Sequence, residues 1–162
     1  LYINPDDVAR DKFGDWNSTE AIMKAARYCT ELRETCLQKR RSFVFETVMS
    51  AEDKVSFIFR AKRAGFFIRL FFISTAHPSI NAARIANRVL KGGHDVPITK
   101  IISRYYKSIE NCYTVAPIVD RLYVYDNSVD GQDAKLQFRL VNGEVKKIYV
   151  DDIPKWAQIL LP

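Results

Sequence analysis

Apolar residues recur every three or four positions in four segments of the chain, which is the pattern of amphipathic α-helices. Asn17-Ser18-Thr19-Glu20 has the form of a capping box ahead of the first segment, Ser50 precedes the second, and Gly65 follows it as a C-terminal glycine. Pro78 is suited to begin the third segment. The predicted helices span residues 18–40, 50–65, 78–91 and 98–113.

Short runs of β-branched and aromatic residues lie between these helices and predict strands. They occupy residues 1–3, 42–47, 66–73 and 122–125. Because the runs alternate with helices and are apolar on both faces, they predict a mostly parallel sheet that is covered on both sides. A hairpin is predicted at residues 135–150 with its turn at Asn142-Gly143, and a short helix around Trp156. The predicted fold is therefore α/β with an antiparallel hairpin near its C-terminal end.

The composition suits one globular domain, because the chain has 162 residues of which 48% are hydrophobic and 27% charged. Such an apolar content excludes intrinsic disorder. The most apolar run, residues 66–74, is too short for a membrane span and contains Arg69. No secretory signal opens the sequence. We expect a cytoplasmic protein without a membrane partner.

The cysteines and the net charge indicate which metal sites and which partners to expect. Cys29, Cys36 and Cys112 include no Cys-x-x-Cys pair, so no metal site is predicted and we expect buried, reduced thiols. The 25 basic and 19 acidic residues give a net charge of +6, which favours a polyanionic partner. Nucleic-acid binding is not favoured, because the aromatic residues are expected mainly in the core rather than between Lys and Arg on a surface.

Polar residues follow three of the predicted strands, and ligands of open α/β sheets bind beyond the carboxyl ends of the strands. These residues are Asn4 and Asp6, Glu46 and Thr47, and Asp126 and Asn127. Helix caps and turns are the alternative roles, in particular for Asp7 and Asp126. Glu46 directly follows an apolar strand, so we expect a largely buried carboxylate that has a cation or hydrogen-bond partner.

Basic residues form a stripe on each of the third and fourth predicted helices. The stripes consist of Arg84, Arg88 and Lys91, and of Lys100, Arg104, Lys107 and Asn111. One interpretation is a solvated helix face. The other is a lid that binds phosphate, because the guanidinium fork suits phosphoryl oxygens and the Gly92-Gly93 pair between the helices allows movement. His94 is then either a phosphate contact or a loop residue.

Five motifs occur in order along the chain. They are Asn4-Pro5-Asp6, Phe45-Glu46-Thr47-Val48, Arg84-x-x-x-Arg88-Val89, Gly92-Gly93-His94-Asp95-Val96-Pro97 and Tyr125-Asp126-Asn127-Ser128. Together they resemble the zeta-toxin-like family of P-loop kinases, in its branch often labelled predicted ABC-type ATPase. The resemblance covers residues 1 to about 128 and leaves out the hairpin (135–150) and the tail (151–162).

The resemblance implies a single domain with a P-loop NTPase-like three-layer sandwich. It also implies phosphoryl transfer from ATP, with Mg²⁺, to a small hydroxylated acceptor, which is UDP-N-acetylglucosamine in characterised zeta toxins. An antitoxin is a further expected partner. By position, Asp6 matches the carboxylate that deprotonates the attacking hydroxyl, and Arg88 matches the lid arginine. The other matches are acceptor contacts at Glu46 (or a metal-side role), Thr47 and Asn127, and phosphate contacts at Arg84, His94 and Arg104.

The sequence departs from the family pattern in one respect, because it contains no Walker A motif, G-x-x-x-x-G-K-[ST]. In the family this motif precedes the position of Asn4. We therefore expect the first strand, the P-loop and the first helix upstream of Leu1, and expect residues 1–162 alone to be inactive. The alternative is a non-catalytic, degenerate P-loop fold that binds protein or nucleic acid.

Overall fold

The computed structural model describes residues 1–14, 18–93 and 95–162, which combine helices and strands in a mixed α/β structure. Asn17 of the predicted capping box and His94 of the predicted phosphate contacts lie outside the described residues. The chain divides into two compact units, Leu1–Thr47 and Val48–Pro162.

The first unit contains two short strands and two helices. They are β1 (Tyr2–Ile3), α1 (Pro5–Phe13), α2 (Thr19–Gln38) and β2 (Val44–Phe45). β1 and β2 are parallel, with Ile3 opposite Phe45. Helix α1 is absent from the sequence-based prediction. It begins after Asn4 because the Asn4 side chain accepts a hydrogen bond from the backbone amide of Asp6 at 2.9 Å and Pro5 occupies the first helical position.

The second unit contains four helices and one four-stranded sheet. In chain order these are α3 (Glu52–Arg63), β3 (Arg69–Ser74), α4 (Pro78–Leu90), α5 (Ile98–Val115), β4 (Arg121–Asp126), β5 (Lys135–Val141), β6 (Glu144–Ile148) and α6 (Lys155–Gln158). The predicted start of the second helix at Ser50 is wrong, because α3 begins at Glu52 and has no side-chain cap. The predicted hairpin at Asn142-Gly143 is confirmed, and Asn142 and Gly143 both have positive φ.

The prediction of a mostly parallel sheet holds only in part. The sheet of the second unit has the order β3-β4-β5-β6, in which β3 and β4 are parallel and the other two pairings are antiparallel. The hairpin of β5 and β6 is therefore part of the main sheet and not an addition to it. It joins there because Leu140 and Phe138 lie opposite Leu122 and Val124 and extend the same buried face.

The two faces of this sheet have different surroundings. One face packs into the core of the second unit with residues of α5 and α6, including Tyr105, Ile109 and Trp156. On the opposite face the side chains of Phe71 and Ile73 are exposed. Within the second unit, the expectation that helices cover both faces is thus wrong, because the helices of this unit pack against one face.

All three cysteines are free thiols and buried, as predicted. Burial raises the pKa of Cys112 and also that of Cys29, so both remain protonated at neutral pH. Among the helices that the structure describes, none is long and apolar enough to cross a membrane.

Candidate functional site

The parallel pairing in the first unit brings together two of the strand ends that were singled out in the sequence. Asn4 follows β1 and Glu46 follows β2, so the register places them next to one another beyond the paired residues. Asp6 lies two residues further, in the exposed first turn of α1. The expectation that Glu46 is largely buried is wrong. Its side chain is exposed, because β2 is a two-residue strand whose Val44 is itself exposed to solvent.

Two hydrogen bonds connect this edge. The backbone amide of Asp6 donates to the Asn4 side-chain oxygen at 2.9 Å, and the Asn4 amide nitrogen donates to the Tyr2 hydroxyl at 3.2 Å. The nearby Glu46 carboxylate raises the pKa of the Tyr2 phenol, while the bond from Asn4 lowers it less strongly. Tyr2 was not singled out in the sequence. The signal that could have found it is its two-residue spacing from Asn4, which puts both on one face of the strand.

A cleft of about 270 Å³ opens beside this edge in the first unit. It is lined by Tyr2, Asn4, Asp7, Val8, Asp11, Lys12 and Tyr28. The Lys12 ammonium lies 3.9 Å from the centre of the Tyr28 ring, a cation–π contact. Arg10 pairs at 2.8 Å with both Asp7 and Asp11. The cleft thus presents aromatic side chains together with carboxylates and one cation.

The strand ends of the second unit form a closed network of hydrogen bonds. The Asp126 carboxylate accepts bonds from the Ser128 amide at 3.0 Å, the Ser128 hydroxyl at 2.9 Å and the Trp156 indole at 2.8 Å. Ser128 in turn accepts from the backbone of Ala76 at 2.7 Å. The backbone amide of Asn127 donates to the carbonyl oxygen of Ser74 at 2.8 Å. The Asn127 side chain is half-buried. Asp126 therefore has a structural role in a turn, which is the alternative to a ligand contact.

A buried tyrosine anchors α5 to the end of β3. The hydroxyl of Tyr105 donates to the carbonyl oxygen of Thr75 at 2.8 Å, and burial raises the pKa of this phenol. The Asn111 side chain of the same helix donates to the backbone of Met49 at 2.8 Å. Asn111 belongs to the predicted stripe on the fourth helix. This member of the stripe therefore bonds the backbone beside Met49 instead of only facing solvent.

The predicted phosphate-binding arginines lie in the second unit and differ in their surroundings. Arg84 pairs with Asp130 at 2.8 Å through both its Nε and an Nη atom. Arg88 lies in the last turn of α4, and Arg104 is half-buried on α5. The Gly93 amide donates to the Arg88 carbonyl oxygen at 2.9 Å. A Cβ atom at Gly93 would lie 2.5 Å from the Arg88 Cγ, so this glycine permits the close packing of the two residues.

The two units therefore hold different parts of the predicted site. Asp6, Glu46 and Thr47 belong to the first unit. The second unit contains the described residues Asn127, Arg84, Arg88 and Arg104.

The described residues do not form a metal site of their own. Within residues 1–14, 18–93 and 95–162, no group of three His, Cys, Asp or Glu side chains is arranged to hold a metal ion. Mg²⁺ in nucleotide sites is usually held by one or two carboxylates together with substrate phosphates.

Comparison with known proteins decides the family. The sequence profile of the zeta toxin family matches residues 8–134. The chain belongs to the zeta toxin family. It is also 28% identical over 105 residues to an uncharacterized protein of Haemophilus influenzae, in an alignment that covers 65% of this chain and 74% of that protein. No solved structure gives a significant match.

Membership of the zeta toxin family supports a P-loop kinase-like function and nucleotide binding. The matched range contains the predicted acceptor and phosphate contacts and Arg88. Asp6 lies two residues before its start. The assignment of Asp6 thus depends on the Asn4-Pro5-Asp6 motif and on the geometry of the strand edge.

Proposed function

We propose that this zeta toxin family member is an ATP-dependent small-molecule kinase that phosphorylates a hydroxyl of a nucleotide-sugar-like acceptor. The observation that carries the proposal is the meeting of Asn4 and Glu46 beyond the ends of two parallel strands, with Asp6 two residues away. Ligands of parallel sheets bind at such an edge, and a carboxylate there can serve a hydroxyl acceptor. An antitoxin protein is the partner that the family suggests.

In this proposal ATP supplies the phosphoryl group, and Mg²⁺ binds through its phosphates. The Asp6 carboxylate accepts the proton of the acceptor hydroxyl while the hydroxyl oxygen bonds to the γ-phosphorus and ADP leaves. Asp6 is suited to this role because it is exposed and because a helix N-terminus is a favourable position for negative charge. Glu46, Thr47 and Asn127 bind the acceptor, and Arg84, Arg88, His94 and Arg104 contact the phosphates.

The test is turnover by the full-length protein with ATP, Mg²⁺ and a panel of nucleotide sugars that includes UDP-N-acetylglucosamine. We expect ADP and a phosphorylated sugar in equal amounts, measured by ³¹P NMR and mass spectrometry. Asp6→Asn should lower kcat by about 10²-fold to 10³-fold with little change in KM, because an amide cannot accept the proton. Asp53→Asn is the matched control, since Asp53 lies in the first turn of α3. No ADP with any acceptor, or equal kcat in Asp6→Asn, would contradict the proposal.

A second candidate is a non-catalytic module that binds single-stranded nucleic acid. One register row of the exposed sheet face carries Phe71, Tyr123, Arg139 and Lys147. The rings of Phe71 and Tyr123 stack at 4.9 Å, and the Arg139 guanidinium lies 5.9 Å from the centre of the Tyr123 ring. The sequence-based expectation that aromatic residues lie mainly in the core does not hold for this row. Aromatic rings beside cations can stack bases and pair with phosphates.

Fluorescence anisotropy with a labelled single-stranded oligonucleotide distinguishes the two candidates. If this face binds nucleic acid, Phe71→Ala should weaken binding about tenfold or more. Phe59→Ala, at a partly exposed position on α3, should have no effect. Absence of binding, or equal affinity of both variants, would leave the kinase as the better account.

A further inference from the structure

The polar residues at the end of β4 differ in whether their side chains are already bonded. The Ser128 hydroxyl donates to Asp126 at 2.9 Å and accepts from the backbone amide of Ala76 at 2.7 Å. Within the described ranges, no group hydrogen-bonds the side-chain amide of Asn127, which is half-buried. Asn127 is therefore the member of this trio whose side chain remains available to a ligand.

The backbone is held on both sides of Asn127. Its own amide donates to the carbonyl oxygen of Ser74 at 2.8 Å. The Asp126 carboxylate accepts from the Ser128 amide two residues ahead at 3.0 Å, which closes a turn with Asn127 at its centre. The turn stays closed only while the Asp126 side chain keeps its orientation, so the position of Asn127 depends on what holds that carboxylate.

Trp156 holds the Asp126 carboxylate from outside the turn. Its indole Nε1 donates to Oδ2 of Asp126 at 2.8 Å, the same oxygen that accepts from the Ser128 hydroxyl. The indole is itself fixed, because Trp156 is 6% exposed and its ring lies 6.2 Å from that of Phe72 in the core of the second unit. An immobile donor thus restricts the rotamers of the carboxylate that closes the turn.

We propose that Trp156 is a positioning residue that, through Asp126, holds Asn127 in place for the acceptor. The inference rests on the proposed function, since it takes Asn127 as an acceptor contact. Loss of the indole bond should loosen the turn and weaken acceptor binding, while ATP binding and proton transfer depend on other residues. Trp156 lies in α6, outside the range 8–134 that the family profile matches.

Trp156→Phe removes the indole donor, keeps an aromatic ring in the core and is the primary variant. We expect its KM for UDP-N-acetylglucosamine to rise about threefold to tenfold, the effect of one hydrogen bond. Its kcat and its KM for ATP should stay within about twofold, because the lost contact concerns only acceptor binding.

Leu160→Val is the matched control, because Leu160 is a buried apolar residue of the same C-terminal segment. Both substitutions remove buried volume and should lower the melting temperature, but Leu160→Val should leave every KM unchanged. An equal rise in the acceptor KM in Leu160→Val would assign the effect to a general loss of stability and would overturn the inference.

Asp126→Asn tests the same contact from its other side and replaces Trp156→Phe in both measurements if that variant does not fold. Asp126 divides its bonds between two acceptor oxygens, of which an asparagine keeps only one. The acceptor KM should therefore rise in Asp126→Asn also.

A second measurement does not depend on catalysis. Amide hydrogen exchange, followed by ¹H–¹⁵N NMR, reports how often the bond from the Asn127 amide to Ser74 opens. This amide should exchange about tenfold faster or more in Trp156→Phe than in Leu160→Val. The amide of Val124, inside β4, should exchange alike in the two variants.

The outcomes separate this inference from the proposed function. Equal exchange of the Asn127 amide in the two variants would show that the indole does not hold the turn and would overturn the inference. Faster exchange with an unchanged acceptor KM in an active enzyme would overturn the role of Trp156 in acceptor binding. Faster exchange with no turnover by the wild type would overturn the kinase and, with it, the role of Asn127 as an acceptor contact.

Discussion

The two arginines of α4 differ in how firmly they are held. Arg84 bonds the Asp130 carboxylate through two nitrogen atoms, but Asp130 is 80% exposed. An ion pair so open to water contributes about 1 kcal/mol or less, so Arg84 can exchange Asp130 for a phosphate at small cost. Arg88 occupies the last turn of the helix, where the Gly93 backbone packs against its side chain. The Gly93 backbone therefore limits the positions open to the base of the Arg88 side chain.

If Arg88 stabilises charge on the transferring phosphate, its effect should appear mainly in the transition state. Arg88→Ala should then lower kcat of the full-length protein by on the order of 10³, while ATP affinity changes much less. Arg88→Lys should rescue poorly, because an ammonium lacks the planar fork. Steady-state kinetics and ATP titration measure the two effects. Arg63→Ala, in the last turn of α3, is the matched control. Normal kcat in Arg88→Ala would remove Arg88 from the site.

Single residues at strand ends were partly predictable from the sequence. The rule that ligands bind beyond parallel strands selected Asn4 and Glu46, and the paired residues of β1 and β2 end directly before them. The same rule also selected Asp126, whose carboxylate instead holds a turn and the Trp156 indole. Sequence alone could not separate these cases, because the difference lies in a tryptophan thirty residues away along the chain. Tyr2 was missed because its place in the parallel strand pair depends on a partner strand about forty residues further along the chain.

Among the elements, long amphipathic helices were predicted well and short or pairing-dependent ones poorly. Helix α4 begins at Pro78 as predicted, because proline is favoured at the first helical position. Helix α1 was missed because its nine residues are mostly charged and bury only Ala9. The direction of β5 was not predictable from its own residues, since antiparallel pairing with β4 depends on distant contacts.

The loop that follows α4 supplies a prediction at the scale of elements. Gly93 has an ordinary backbone conformation, so alanine is excluded there only by the crowding against Arg88, whose carbonyl oxygen would be 2.9 Å from the new Cβ. Gly93→Ala should shift Arg88 and lower kcat about tenfold to a hundredfold, as expected for a misplaced catalytic group. The loss should not add to that of Arg88→Ala in the double variant. Measuring kcat of the wild type, the two single variants and the double variant tests this expectation. Additive losses in the double variant would contradict it.

At the scale of the whole second unit, one carboxylate connects three elements. Asp120, directly before β4, accepts a bond from the Lys62 ammonium of α3 at 2.6 Å and one from the backbone amide of Ile68, just ahead of β3, at 2.7 Å. The Asp120 side chain is 18% exposed, so water screens these bonds only weakly. This junction fixes α3 against the start of the parallel strand pair.

The Asp120 junction should make the stability of the protein depend on pH. Burial raises the pKa of this carboxyl, but the bonds from Lys62 and Ile68 outweigh it and hold the pKa below its usual range. The stabilisation is therefore present above the ordinary aspartate value of about 3.9 and is lost as pH falls through the lower folded-state value. Asp120→Asn should cost about 1 to 3 kcal/mol at pH 7 in urea unfolding, and the difference from wild type should shrink in acid. The exposed Asp133→Asn should show neither effect, and an equal loss at pH 7 and pH 2 in Asp120→Asn would contradict an ionic origin.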